Sequence, residues 1–138
     1  MAVNTINLPN TRTKFFICTH MYSHTIILNS HDLVEKSLGL RFKLPQLGVF
    51  ATGFVVRYHG KAHAYVNQCA HVPIELDWNQ GEFFTANKDY LICATHGAHY
   101  APDTGFCVMG PCKGKSLHAL PVTEQNQQIT IHLDKLHK

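Results

Sequence analysis

Cysteine and histidine side chains occur in two close pairs in the second half of the chain. Cys69 and His71 have one residue between them, and Cys93 and His96 have two. Thiolate sulfur and imidazole nitrogen both ligate transition metals. One intervening residue is fewer than the roughly two to four that separate paired ligands in a zinc finger. The spacing instead suits two short loops that clasp a diiron cluster, with both thiolates on one iron and both imidazoles on the other.

These loops resemble the ligand loops of the Rieske 2Fe–2S family. The resemblance covers residues 69–71, Cys-Ala-Thr-His-Gly at 93–97, Tyr-Ala-Pro-Asp-Thr-Gly at 100–105, and Gly-Pro-Cys-Lys-Gly at 110–114, which is similar to the family's proline-containing third loop. It implies one 2Fe–2S cluster as the cofactor. It also implies that Cys69 and Cys93 ligate one iron, and that His71 and His96 ligate the other.

Other interpretations of the cysteines and histidines remain open. With eleven histidines and five cysteines, the chain could hold an incidental zinc site. The cysteines could also be small core residues that bind no metal. His99 matches a non-ligand histidine of the family, so we expect it to be structural or solvent-facing. Cys107 and Cys112 could form a disulfide or a second thiolate site, but we expect reduced thiols, as is usual in a reducing cytoplasm.

The second loop departs from that of the high-potential Rieske proteins of cytochrome bc complexes. Their loop has the sequence Cys-Pro-Cys-His-Gly-Ser-His-Tyr, whereas residues 93–100 here are Cys-Ala-Thr-His-Gly-Ala-His-Tyr. Tyr100 is kept and its phenol is expected to reach a sulfur, while Ala98 lacks the hydroxyl. Ile74 and Thr95 replace the cysteines of the family's inter-loop disulfide. We expect Ala98, Tyr100 and Pro111 to surround the cluster.

These departures indicate the soluble, ferredoxin-like branch of the family, at a modest potential. A cluster with two thiolate and two neutral imidazole ligands is uncharged when oxidised and carries one negative charge when reduced. It is therefore easier to reduce than an all-thiolate cluster, with potentials of about −150 to +300 mV against about −400 mV. Hydrogen bonds to the sulfurs set the value within that range.

The elements that must position the loops are predicted to be short strands. The clearest is a hairpin in which residues 54–58 and 61–66 flank His59 and Gly60, a two-residue turn that leads into the first loop. Alternation predicts a half-buried strand over 39–44. The domain is expected to begin near the short apolar run at 26–28. Further predicted strands are 81–84 with 90–92 around a polar turn at 85–89, and 117–122 with 129–133 around a polar tip at 123–128. Residues 30–35 are expected to form a single turn capped by Ser30.

The predicted architecture is all-β, with stacked antiparallel sheets and an inserted cluster-binding subdomain. Residues 1–24 have no strong periodicity and are expected to be a tail. The Rieske domain is predicted over 25–138, with its cluster-binding subdomain at about 67–114. A chain of 138 residues has the length of one domain.

Charge and hydropathy exclude some classes of function. The formal net charge of +3 comes without the Lys/Arg runs that are typical of nucleic-acid binding. The apolar stretch at 15–28 is interrupted by polar residues well short of a membrane span. We therefore expect no nucleic acid, signal peptide or membrane anchor, and a cytoplasmic protein. Acidic Glu75, Asp77 and Glu82, together with Lys113 and Lys115, are expected to form a mixed-charge rim around the loops.

These observations predict a carrier of single electrons between a soluble reductase and a terminal oxidoreductase such as an oxygenase. No catalytic triad or nucleotide loop accompanies the cluster motif, so the protein is not expected to be a catalyst alone. The alternative is a regulatory or accessory subunit in which the cluster senses redox state or stabilises a fold.

Overall fold

The computed structural model describes residues 24–136, so the predicted tail lies outside the described residues except for His24. The strands in this part of the chain are β1 (Thr25–Asn29), β2 (Leu40–Lys43), β3 (Thr52–Tyr58), β4 (Lys61–Val66), β5 (Leu91–Ile92), β6 (His99–Tyr100), β7 (Cys107–Met109), β8 (Ala119–Leu120), β9 (Val122–Gln125) and β10 (Gln128–His132). Two 3-10 turns, Ser30–Asp32 and Pro45–Leu47, are the helical elements of residues 24–136.

The strands form three antiparallel sheets. Their orders are β9-β10-β1, β2-β3-β4-β8 and β5-β6-β7. The first two sheets make a base, and the third carries the second Cys–His pair. The prediction of an all-β fold with stacked antiparallel sheets is confirmed. Over residues 24–136 the structure contains no helix with the length and apolar character of a membrane span.

The hairpin of β3 and β4 matches its prediction. His59 and Gly60 form its two-residue turn with φ of 51° and 80°, and Tyr58 pairs with Lys61 across it. Two successive positive φ values give a turn whose twist matches that of the strands. At its other end, β4 passes through Asn67 directly into the first loop.

Three local predictions are wrong. The cap of the first 3-10 turn is Asn29, whose side chain accepts a hydrogen bond from the N–H of His31. Residues 81–83 are not a strand, and Phe84 makes only an isolated bridge to Leu91. The last hairpin has a two-residue turn, Asn126 and Gln127, rather than a polar tip at 123–128. Its strand ends are solvent-exposed, where polar side chains are compatible with β-structure.

β3 lies at the centre of the molecule, because it is buried on both faces. Phe54 and Val56 belong to the core beneath the cysteine–histidine loops. Val55 belongs to the second core, which is shared with β1 and β10. Successive side chains of a strand point to opposite faces, so one strand joins the base to the loop-bearing part. The Phe54 ring stacks on Phe83 at 3.8 Å between centroids.

Replacing Phe54 by alanine should therefore cost about 3–5 kcal/mol of unfolding free energy, the usual loss for a buried phenylalanine. The matched control is Phe50→Ala, since Phe50 is 91% exposed whereas Phe54 is fully buried. The control should lie within about 0.5 kcal/mol of the wild type. Urea denaturation of the three proteins measures both values, and equal losses would contradict the central position of β3.

Candidate metal centre

Asn67 closes the first loop as the chain leaves β4. Its side-chain oxygen accepts the N–H of Leu76 at 2.9 Å, and its amide nitrogen donates to Asp77 Oδ1 at 3.0 Å. Within the loop, the N–H of Cys69 donates to the carbonyl of Ile74 at 2.8 Å. These bonds join the two ends of the loop and fix the segment that contains Cys69 and His71.

Asp77 connects the first loop to the base sheet. Its carboxylate is fully buried and accepts from Arg41 Nη1 at 3.1 Å and from the N–H of Gly81 at 2.9 Å. Arg41 of β2 also donates to Glu75 at 2.9 Å. A buried charge is stable only when it is paired and hydrogen-bonded. The predicted rim is thus wrong for Asp77, because this carboxylate faces inward. Neither periodicity nor spacing signalled the Arg41 pairing.

The second loop follows β5 and turns tightly. The N–H of Gly97 donates to the carbonyl of Cys93 at 2.8 Å, and the N–H of Cys93 donates to the carbonyl of Ala98 at 2.9 Å. Gly97 has a φ of 73°, the left-handed region that favours glycine. The N–H of Ala94 donates to the carbonyl of Leu76 at 2.9 Å. Both loops are therefore anchored at residues 76 and 77.

The four predicted donors are sorted into an inner and an outer pair. Cys69 and Cys93 are buried and are not in a disulfide. His71 and His96 are exposed, and their rings lie edge to face with centroids 4.9 Å apart. Over residues 24–136, no three Cys, His, Asp or Glu side chains are placed to hold one metal ion. The donor set, with two sulfurs inside and two imidazoles outside, fits the two irons of a 2Fe–2S cluster.

Peptide N–H groups and one phenol surround the two sulfurs. Burial raises the pKa of the Cys69 thiol, but hydrogen bonds from the Tyr100 hydroxyl and the N–H groups of His71 and Val72 outweigh it, so the pKa is lowered. Burial raises the pKa of Cys93, and the adjacent Cys69 sulfur adds to the rise. Each sulfur thus affects the pKa of the other, which agrees with the expectation that the two cysteines share one iron.

Tyr100 reaches a sulfur, as the sequence predicts. Its hydroxyl lies 3.1 Å from Cys69 Sγ and accepts the N–H of Ala70 at 3.0 Å. Ala98 is buried in the same core, whereas Pro111 is exposed. His99 has a structural contact, as expected, with Nδ1 2.6 Å from the carbonyl oxygen of Gly97.

Cys107 and Cys112 form a disulfide, so the expectation of reduced thiols is wrong in this structure. The third loop folds back so that the two Cα atoms are 6.0 Å apart, within the range that a disulfide bridges. The expectation rested on a reducing compartment, and the loop geometry was not visible in the sequence.

Trp78 was missed by the sequence analysis. Its side chain is 74% exposed, and its indole N–H donates to Thr95 Oγ1 at 3.1 Å. Thr95 precedes His96, so a large, oriented aromatic surface lies beside the exposed imidazoles. The only available signal was that Trp78 is the single tryptophan of the chain.

Asp77→Ala should destabilise the protein by about 3–5 kcal/mol, because it leaves Arg41 and two further donors without their buried acceptor. Glu82→Ala is the control, since Glu82 is exposed and its side chain accepts a hydrogen bond from its neighbour Asn79 at 3.2 Å. It should change the stability by less than about 0.5 kcal/mol. Chemical denaturation decides, and a loss at Asp77 no larger than that at Glu82 would contradict the anchoring role.

Solved structures share this fold. The ferredoxin of carbazole 1,9a-dioxygenase from Nocardioides aromaticivorans IC177 superposes with a TM-score of 0.62 at 21% identity, covering 80% of this chain and 98% of its own. A chain in the complex of reduced oxygenase and oxidized ferredoxin of carbazole 1,9a-dioxygenase gives a TM-score of 0.64 at 18% identity, covering 83% and 98%.

A larger protein contains the same fold as a part. The terminal oxygenase of carbazole 1,9a-dioxygenase from Novosphingobium sp. KA1 matches with a TM-score of 0.61 at 21% identity, covering 79% of this chain but only 29% of its own. At these identities the likeness shows the fold alone.

The sequence itself identifies the family. No curated protein sequence matches the chain significantly. The family model described as "Rieske [2Fe-2S] domain" matches residues 27–124, a segment that includes both Cys–His pairs and the third loop. The chain therefore belongs to the Rieske [2Fe-2S] family and binds one 2Fe–2S cluster.

Proposed function

We propose that this protein carries single electrons between a reductase and a terminal oxidoreductase such as an oxygenase. In this proposal Cys69 and Cys93 hold one iron, His71 and His96 hold the other, and residues of about 67–114 form the cluster-binding subdomain. The protein acts as one component of a redox chain and not as a catalyst alone. A cytoplasmic location stays a prediction.

The observation that carries the proposal is the burial of both cysteines beneath two exposed histidines. The cluster, when bound, stores one electron. The buried sulfurs are protected from water by the surrounding core, while the imidazole rings lie at the protein surface. A partner that contacts the two rings would therefore lie directly against the proposed ligands of the outer iron.

The names of the structural relatives support the same role. One is a ferredoxin of carbazole 1,9a-dioxygenase, and others are complexes between the oxygenase and ferredoxin of that enzyme. Almost the whole length of that ferredoxin is covered by the present chain, whereas the terminal oxygenase is covered only in part.

The proposed ligands are tested by metal analysis of variants. The wild-type protein should contain two irons per chain and give a reduced-state electron resonance signal with an average g below that of all-thiolate clusters. His96→Ala should lose this signal because one iron loses a ligand. His118→Ala should keep it, since exposed His118 has no proposed ligand role. Anaerobically purified protein with one zinc and no iron would contradict the proposal.

We propose that electrons are exchanged at the surface that contains His71, His96 and the third loop, and charge reversal tests this. Lys113 and Lys115 are exposed on the third loop, so Lys113→Glu with Lys115→Glu should slow cluster reduction by dithionite, an anion, several-fold at low salt. The effect should shrink as salt screens the charges.

The matched control for this charge reversal is Lys36→Glu with Lys61→Glu, near the end of the β3–β4 hairpin that is remote from the loops. Stopped-flow absorbance measures the rates. Equal rates in all three proteins at low salt would exclude the third loop from the face at which electrons are exchanged.

A carrier must also be reduced and reoxidised without unfolding. A cluster that is reduced only when the fold is lost would favour the accessory subunit instead. Circular dichroism recorded through a reduction and reoxidation cycle distinguishes the two roles.

A further inference from the structure

The Cys107–Cys112 disulfide lies against Tyr100, the residue that contacts the Cys69 sulfur. Tyr100 on β6 and Cys107 on β7 are direct cross-strand partners. The disulfide joins Cys112 to Cys107 and places Cys112 Sγ 3.2 Å from the Tyr100 hydroxyl. On its other side, the same hydroxyl is 3.1 Å from Cys69 Sγ. The phenol oxygen is thus held between a proposed iron ligand and a disulfide sulfur.

The phenol has one proton, and the disulfide determines where it goes. The N–H of Ala70 already donates to the hydroxyl oxygen at 3.0 Å. A disulfide sulfur has no proton to donate and is only a weak acceptor, whereas a thiolate is a strong one. The Tyr100 proton is therefore directed to Cys69. Cys107 and Cys112 in the disulfide offer no strong acceptor that would compete with Cys69 for this proton.

The disulfide also fixes the loop that covers the phenol. Cys107, Cys112 and Tyr100 are all at most 1% exposed. The N–H of Cys107 donates to the carbonyl of Lys115 at 2.7 Å. At Gly110, a Cβ would lie 2.8 Å from the Ala98 Cα, so the third loop packs directly on the second loop. The phenol has little space to turn away from Cys69.

We propose that the Cys107–Cys112 disulfide is a positioning element that holds the Tyr100 hydroxyl on the Cys69 sulfur and thereby raises the midpoint potential of the cluster. This inference rests on the proposed function, because it requires Cys69 to be an iron ligand. A hydrogen bond to a ligand sulfur stabilises the reduced cluster, which has the larger negative charge. The disulfide thus acts on the potential through Tyr100 and not by direct contact with the iron.

A double-mutant cycle tests this coupling. Its members are the wild type, Tyr100→Phe, Cys107→Ala with Cys112→Ala, and the triple variant. Tyr100→Phe should lower the reduction equilibrium constant on the order of tenfold, which for one electron is about 59 mV. The double variant Cys107→Ala with Cys112→Ala, the alanine pair, should also lower this constant. The triple variant should equal Tyr100→Phe, because the disulfide has no effect once the hydroxyl is gone.

Voltammetry at one pH gives the four potentials, and the electron resonance signal establishes that the cluster is intact in each. Additive shifts, or an unchanged potential in the alanine pair, would reduce the disulfide to a purely structural role and overturn the inference. Cys107→Val with Cys112→Ala, which fills part of the lost volume, replaces the alanine pair if that protein does not fold. If neither folds, the potential of wild-type protein before and after reduction of the disulfide by a phosphine decides by the same criterion.

Mass analysis after alkylation without reductant checks the disulfide itself. Cys107 and Cys112 should remain unmodified in denatured wild-type protein, and their alkylation would contradict the inference while leaving the proposed carrier function intact. A wild-type protein without a cluster would instead contradict the proposed function first. The two failures are thus distinguishable.

Discussion

The rest of the site depends on the ion pair and hydrogen bonds made by the buried carboxylate of Asp77. A carboxylate with no exposed surface requires a positive partner and further donors, and Arg41, Asn67 and Gly81 supply them. Arg41 belongs to the base sheet and Asn67 to the end of β4. The neighbouring residue, Leu76, accepts a hydrogen bond from the second loop. One ionic cluster therefore sets the position of both loops relative to the base.

The site places its two kinds of proposed ligand in different environments. The cysteines lie in the apolar core with Phe54, Phe83 and Leu91, while the histidines are at the surface. A cluster held here would be negatively charged when reduced, and the apolar core would disfavour that charge without hydrogen-bond donors. Peptide N–H groups of the loops supply such donors to each sulfur. The tight turns around Gly97 and Ile74 thus serve the chemistry as well as the chain path.

Much of the site could be predicted because its signals are local. The spacing within each Cys–His pair, and the His59–Gly60 turn, depend on a few consecutive residues. The structure has that turn where it was predicted, and the ligand role of the Cys–His pairs stays a prediction. The Asp77–Arg41 pair spans 36 positions, and the Cys107–Cys112 bridge depends on how the third loop folds back. No periodicity encodes such contacts. The last hairpin was predicted with a polar tip at 123–128, although its strands continue to Gln125 and from Gln128. The polar residues there resemble a loop in the sequence because they face solvent.

Position 98, which lacks a side-chain hydroxyl, is in close contact with Gly110 of the third loop. Gly110 approaches the Ala98 backbone so closely that its own Cβ would overlap with it, and the Ala98 side chain is fully buried. The third loop therefore packs against the second loop at this point. Tyr100 remains the side-chain donor that contacts the sulfur of Cys69, a proposed ligand, supplemented by peptide N–H groups. Because a phenol has only one proton to donate, the groups that hold its oxygen in place, the N–H of Ala70 and the disulfide, become part of the control of the potential.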